Sequence, residues 1–260
     1  MNLGMLVVLA TIIVVVIIAI LLIVSRTKFQ RDSKVPRIIH QMWYDKVVYD
    51  NDYAPSSYTS YRGYTDSWTR LNSTYRYKFW NKGMINELWK HEDLICYADF
   101  FYALDKHIEK CDFARYALLY LEGGIYVDLD FICEKSIDPL LRKTREIALA
   151  REPTTHLTDK YKYITNGFMI SSPKSKFWLS CMNYVMANYD GSKNPVDNTG
   201  PGMLDKFTEQ NSHHNIFFIP AHLIIPVDKY GNLHASIKNK LVYPYCKTIW
   251  EEGTDWHDDL

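Results

Sequence analysis

The chain is 260 residues long, 47% hydrophobic and 23% charged, which supplies a large core and excludes disorder, collagen and coiled coil. Its 30 Lys and Arg balance 30 Asp and Glu, so the basic excess of a polyanion binder is missing and nucleic acid is excluded as the main partner. Aromatic residues, 15% with 20 Tyr and 7 Trp, serve an ordinary core or rings that stack on sugars and bases.

The run Leu3 to Val24 is apolar and uncharged. As a helix at ~1.5 Å per residue it reaches roughly 33 Å, enough to cross a bilayer core. No small-x-small exit follows it, so residues 1–25 read as a single-pass transmembrane anchor rather than a cleaved signal. Residues 26–35 form a charged linker, and 36–260 one folded domain. Arg26, Lys28, Arg31, Lys34 and Arg37 follow the run against one Asp32, a bias that favours a cytosolic domain. The sequon Asn72-Ser73-Thr74 would accept a glycan in a lumen. Five cysteines without a C-x-x-C pair exclude a zinc ribbon and leave both one or two disulfides and free buried thiols open.

Inside the domain, the fold opens with Val35 to Trp43, a short apolar strand after a proline. A polar stretch over 44–75 carries a helix near Ser60 to Leu71, and a second strand spans Tyr75 to Trp80. Helices are expected over Met84 to Trp89 and Leu94 to Leu104. From Ile108 to Leu121, Phe113, Ala114, Ala117, Leu118 and Leu121 make one helical stripe, which Gly123-Gly124 ends with a left-handed cap. Ile125 to Ile132 then reads as a buried strand. Later strands are expected at Ile147 to Ala150, Ile164 to Ile170 and Ile216 to Ile219, with helices at Lys174 to Ala187 and Gly202 to Glu209. Helix, glycine turn and strand together argue a layered α/β domain.

Asp128 and Asp130 stand two apart on the expected strand, so both carboxylates would share one face. Like charges in an apolar run are costly unless a cation joins them, and oxygen donors suit magnesium or manganese, with positions left for phosphate oxygens. The bland alternative is a strand end at which both reach water. Asp112 and Arg115, three apart on the preceding helix, can pair while Arg115 still offers donors to phosphate or ribose. Equally, they can be a surface ion pair worth a few tenths of a kcal/mol.

Cys111-Asp112-Phe113-Ala114-Arg115 followed by Gly123-Gly124-Ile125-Tyr126-Val127-Asp128-Leu129-Asp130 resembles the core signature of glycosyltransferase family 32. That family includes initiating α-1,6-mannosyltransferases and inositol-phosphoceramide mannosyltransferases, and bacterial glucosylating toxins share the pattern distantly. Pro36 to Trp43 resembles its first strand, and the match runs from about residue 35 to the C-terminus. The resemblance implies a GT-A-type nucleotide-sugar-binding sandwich with a central mixed sheet. It further implies metal-dependent transfer of a hexose, mannose from GDP-mannose preferred, to a glycan or glycolipid hydroxyl with retention, in a Golgi or ER lumen. Mn2+ or Mg2+ is the implied cofactor.

By position, Asp112 would hold ribose or sugar hydroxyls, Arg115 the sugar or diphosphate, and Tyr126 would line the donor site. Asp128 would contact ribose and sugar and reach the metal, which Asp130 ligates directly. Trp43 would sit by the base, or be a core Trp at a strand end, and Asn166 would face the reacting carbon. Glu251-Glu252-Gly253-Thr254-Asp255-Trp256-His257 resembles a closing loop in which Trp256 covers the diphosphate and Glu251, Thr254 or His257 completes the metal set. Thr199-Gly200-Pro201-Gly202 resembles a glycine-proline loop before a family helix, and His213-His214 reads as loop. Two rival functions fit a bare D-x-D: a haloacid-dehalogenase-like phosphatase, and a membrane-tethered sugar-binding module without turnover.

Overall fold

A computed structural model describes residues 12–18, 34–44, 59–153, 161–211, 215–226 and 244–248. The chain divides into two units, Met1–Ser33 and Lys34–Leu260. In the first, residues 12–18 form a helix, α1, whose side chains are exposed. Among the described residues no helix is long and apolar enough to cross a membrane; the rest of the expected anchor over 1–25 lies outside them.

The second unit runs β1 (Ile38–Met42), α2 (Thr59–Leu71), β2 (Arg76–Trp80), α3 (Lys82–Leu88), α4 (Ala98–Ala103), α5 (His107–Glu122), β3 (Gly124–Val127) and β4 (Phe131–Cys133). It continues with α6 (Asp138–Lys143), β5 (Ile147–Pro153), β6 (Tyr161–Ser171), α7 (Lys176–Asn188), α8 (Pro195–Asn198), α9 (Pro201–Gln210), β7 (Ile216–Ile219) and β8 (Cys246–Thr248). Six strands form one sheet in the order β2-β1-β3-β6-β5-β7. β1 is parallel to β2 and β3, β6 is antiparallel to β3 and β5, and β7 is parallel to β5, so the sheet is mixed as expected. β4 and β8 form a separate antiparallel pair.

The sheet separates two apolar layers because successive strand side chains point to opposite faces. Tyr126, Met169 and Leu149 join the layer built on Phe101, Phe113, Trp178 and Phe207. Ile125, Val127, Phe168 and Ile170 join the opposite layer with Trp68, Phe131 and Ile224. Ring stacking ties the first layer together: Trp89 lies 5.5 Å from Phe113, and Tyr116 5.5 Å from Trp178.

Four sequence expectations change here. The helix expected to bury one stripe, α5, is buried on nearly every side, Asp112 and Arg115 included. The glycine joint is not a left-handed cap: Gly123 has φ 62 and ψ −154, and Gly124 has φ 91. A Cβ at Gly123 would lie 2.5 Å from Pro173 N, and one at Gly124 would lie 2.7 Å from Ile38 O, so close backbone approach as well as dihedral demands glycine. The strand expected over Ile125 to Ile132 is two strands, because β3 ends at Val127 and the chain turns through Asp128, Leu129 and Asp130 before β4. Asp128 and Asp130 are therefore turn residues, and the argument that they share a strand face does not hold.

The fourth concerns Asn72. It is 3% exposed, its Nδ2 donates to Trp68 O at 3.1 Å and its Oδ1 accepts from Ile137 N at 3.0 Å. The folded domain has no room for a glycan there, so the sequon says nothing about compartment. All five cysteines carry free thiols.

Candidate active site

The site is assembled where α5, the end of β3, β6 and the start of α9 meet. Arg115 is its centre, with a side chain only 4% exposed. Nη2 reaches Asp112 Oδ1 at 3.2 Å, and Nη1 reaches Asp128 Oδ1 at 3.3 Å. Nη1 also donates to Asn166 O at 3.0 Å, Nε donates to Cys111 O at 3.4 Å, and the guanidinium lies 4.8 Å from the centre of the Tyr126 ring. A planar fork can face two carboxylates and a carbonyl at once, which a lysine ammonium on one stem cannot.

Asp112 is equally buried. Its Oδ1 accepts from Asn166 Nδ2 at 2.8 Å and its Oδ2 from Thr199 Oγ1 at 2.8 Å. Burial pushes its carboxyl up to about 6, against the opposing pull of Arg115 and the Thr199 hydroxyl. Burial also opposes the charge on Arg115, but Asp128, Tyr126 and Asp112 around it hold its pKa well above the usual guanidinium value. The Tyr126 phenol is pushed up chiefly by burial, so it stays protonated and donates to Asp128 Oδ1 at 2.6 Å.

Asp128 is held from the main chain as well. Its N donates to Gly167 O at 2.9 Å, extending the β3–β6 ladder one residue past the strand, and its O accepts from Gln41 Nε2 at 3.1 Å. Yet its side chain remains 33% exposed. Asp130, two residues on, is partly exposed in the same turn. Gly167 leaves room for the Asp128 carboxylate, because a Cβ there would come 2.7 Å from Asp128 Oδ2 and displace it.

The structure thus brings together Asp112, Arg115, Tyr126, Asp128 and Asn166. The Asn166 amide is turned onto Asp112 and is 6% exposed. Trp43 follows β1, partly buried, its N donating to Trp80 O at 3.0 Å. Glu251, Thr254, Trp256 and His257 lie outside the described residues. The i,i+3 pair read as a possible surface bridge is a buried one.

Two contributors went unseen in the sequence. Gln41 is fully buried, and besides binding Asp128 O it accepts from Tyr77 OH at 2.8 Å and Thr65 Oγ1 at 3.3 Å. A buried glutamine within an apolar strand was the available signal. Thr199 was noticed only as part of a glycine-proline loop; Gly200 does cap α9 with Pro201 in its first turn, and Thr199 delivers the hydroxyl that closes on Asp112.

Residues 59–146, which span α2 through the D-x-D turn to the end of α6, match the family described as a glycosyltransferase sugar-binding region containing the DXD motif. That stretch of the chain carries the sequence pattern of the DXD glycosyltransferases. Among similar proteins, the chain is 24% identical over 203 residues to an uncharacterized glycosyltransferase, L373, of Acanthamoeba polyphaga mimivirus, covering 76% of each chain. It is 29% identical over 153 residues to inositol phosphoceramide mannosyltransferase 1 of Schizosaccharomyces pombe, covering 55% of this chain and 40% of that one. To mannosyl phosphorylinositol ceramide synthase CSH1 of Saccharomyces cerevisiae it is 30% identical over 171 residues, covering 64% and 40%. The chain therefore spans about two fifths of those yeast proteins.

Solved structures with the same fold include PaToxG glycosyltransferase, with TM-score 0.50, 17% identity and coverage of 68% of this chain and 70% of that one. The UDP-bound glycosyltransferase domain of the YGT toxin gives TM-score 0.50 at 7% identity, covering 72% and 80%. The mixed sheet and these neighbours agree with the GT-A-like architecture expected from the motif.

Proposed function

We propose that this glycosyltransferase moves a hexose, mannose by preference, from a nucleoside diphosphate-sugar such as GDP-mannose to a glycolipid or glycan hydroxyl, with retention of configuration. The names of the yeast relatives support the mannosyl and glycolipid parts. One observation carries the reading: the buried Arg115 holds Asp128 from behind, with Tyr126, while a third of the Asp128 side chain stays open beside Asp130.

Charge and donor type fit a divalent ion at that turn. Asp112 and Asp128 are two carboxylates against the one guanidinium of Arg115, so an incoming diphosphate meets like charge unless a cation joins it. Oxygen donors from Asp128 and Asp130 suit Mg2+ or Mn2+, and among the described residues no group of three or more His, Cys, Asp and Glu offers a metal cage of its own. A bound ion would supply charge stabilisation for the departing diphosphate.

The chain's own residues have distinct parts in this reading. Tyr126 keeps its proton on the phenol oxygen and fixes the Asp128 carboxylate through it. Arg115 places positive charge behind the D-x-D turn and cannot swing out without leaving both carboxylates without that cation. Asn166 and Thr199 fix Asp112, and Gln41 fixes the turn's backbone at Asp128 O. Membrane attachment through residues 3–24, with the domain in a Golgi or ER lumen, belongs to the same proposal.

The test is a screen of GDP-, UDP- and other nucleotide-sugars with manganese, reading nucleoside diphosphate release, with a phosphomonoester in parallel. We expect release from one donor class, its loss with chelator, and a fall of at least about a hundredfold in Asp130→Asn, the size seen when a key electrostatic group is removed. Full activity in Asp130→Asn, or turnover of the phosphomonoester alone, refutes the reading.

A further inference from the structure

Cys133 and Cys246 face each other. The antiparallel register of β4 and β8 pairs Phe131 with Thr248, Ile132 with Lys247 and Cys133 with Cys246. Glu134 N donates to Tyr245 O at 2.9 Å, so the next pair outward is the hydrogen-bonded one and Cys133–Cys246 occupies a non-hydrogen-bonded site. At such a site the Cα atoms lie ~4.5 Å apart and the side chains share a face. A disulfide requires a Cα separation of about 4.4–6.8 Å, a range that takes in the spacing of such a pair.

The surroundings are compatible with the bond. The two residues are 3% and 0% exposed and pack in the same apolar layer. Cys133 Sγ donates to Lys135 O at 3.3 Å and accepts from Asn72 Nδ2 at 3.4 Å; Cys246 Sγ donates to Ile224 O at 3.7 Å. Bridging removes two weak S–H donors and leaves the Asn72 contact to sulfur in place. The other three cysteines are placed differently: Cys96 is exposed in a short turn of helix, and Cys111 and Cys181 sit on α5 and α7 in the opposite layer.

We propose that Cys133 and Cys246 close a disulfide across β4 and β8 when the chain matures in a thiol-oxidising environment. The electron acceptor is a low-molecular-weight disulfide such as oxidised glutathione. One cysteine thiolate attacks it and releases one glutathione thiolate, leaving a mixed disulfide. The second cysteine thiolate then displaces the second glutathione, so one S–S bond forms in the chain as one is consumed, and the two thiol protons pass to the released thiolates. Burial pushes the Cys133 thiol up to about 11 and the Cys246 thiol well above its ordinary value, so the finished fold supplies little thiolate and the exchange belongs to folding, before β8 is seated. The bond would fasten β8 to the strand that begins one residue after Asp130, which makes the redox state of the compartment a determinant of how firmly that flank of the site is held.

The full chain should be expressed in an oxidising secretory compartment and, separately, refolded in a buffer of oxidised and reduced glutathione. Free thiols are blocked with iodoacetamide in denaturant, and the digest is read by mass spectrometry without reduction. We expect a cross-linked peptide pair holding Cys133 and Cys246, alkylated Cys96, Cys111 and Cys181, and a thermal midpoint that falls by several degrees on reduction. Cys246→Ala should lose both the cross-link and the sensitivity of its midpoint to reductant. Recovery of Cys133 or Cys246 alkylated in both preparations, or a bond to any other cysteine, overturns the proposal. So does a midpoint that reduction leaves unchanged or raises.

Discussion

Replacing Arg115 by methionine isolates the buried charge cluster. The substitution keeps an unbranched stem of similar width but removes the cation between Asp112 Oδ1 at 3.2 Å and Asp128 Oδ1 at 3.3 Å, along with the donor to Asn166 O. Breaking a buried ion pair by deleting one partner costs ~3–5 kcal/mol, since a charge stays behind in a poor solvent. Asp112 will answer by taking up a proton. Its carboxyl already stands at about 6 with the cation beside it, and without Arg115 it rises further. A carboxyl raised above its unfolded value of ~3.9 binds more protons folded than unfolded, so stability falls as pH rises through that interval. In wild type that fall ends near about 6; in the variant it continues upward, at ~1.4 kcal/mol for each further pKa unit. The loss relative to wild type must therefore be larger at about pH 8 than at about pH 5.5. Urea unfolding followed by the fluorescence of the buried Trp68, Trp89 and Trp178 measures both values. Arg115→Lys, which keeps charge without the fork, should fall between. A loss under ~1 kcal/mol, or one equal at the two pH values, would refute a buried cation as the keystone of this site.

Gly167→Ala places a Cβ 2.7 Å from Asp128 Oδ2. The carboxylate can swing away, so the thermal midpoint should change little while donor turnover falls at least about tenfold, the effect of misplacing a catalytic group by a fraction of an ångström; unchanged turnover would sink the idea. His40 is neutral with its proton on Nε2, which donates to Gly123 O at 2.8 Å, while Nδ1 accepts from Trp80 Nε1 at 3.0 Å. Burial lowers its pKa to about 4, so between about 4 and 6.5 the unfolded chain binds the extra proton and stability is lost as pH falls. Comparing His40→Gln with wild type across that range should show ~3 kcal/mol of acid loss present only in wild type, and parallel profiles would disprove it. Asn72 should stay unglycosylated in a secretory host, as gel mobility before and after enzymatic deglycosylation will show. Asn72→Ala should cost ~1–3 kcal/mol by stranding the Ile137 N–H.

Much of this site could be read from residues alone, for a definite reason. Asp112, Arg115, Tyr126 and Asp128 come from one helix, one glycine joint and one strand, so their spacing along the chain nearly determines their spacing in space. What escaped was non-local or depended on the local path of the backbone. Gln41 reaches Asp128 O from a different strand, and Thr199 arrives from the far side of the sheet's connections, with no periodicity to announce either. The D-x-D turn was taken for strand because Leu129 and Phe131 continue an apolar alternation past Val127; the chain instead turns there, with Phe131 N donating to Asp128 O at 3.3 Å. The burial of Asp112 was misjudged because a helix packed on all sides, unlike one lying on a surface, has no polar face to mark. The pairing of β4 with β8 joins residues too far apart in sequence for local pattern to suggest.

The joint at Gly123 and Gly124 has a mechanical meaning. Any side chain at either residue would strike Pro173, Ser171 or Ile38, so helix and strand are butted end to end with no slack between them. The backbone that leads to Asp128 is thereby fixed against the end of the helix that carries Arg115.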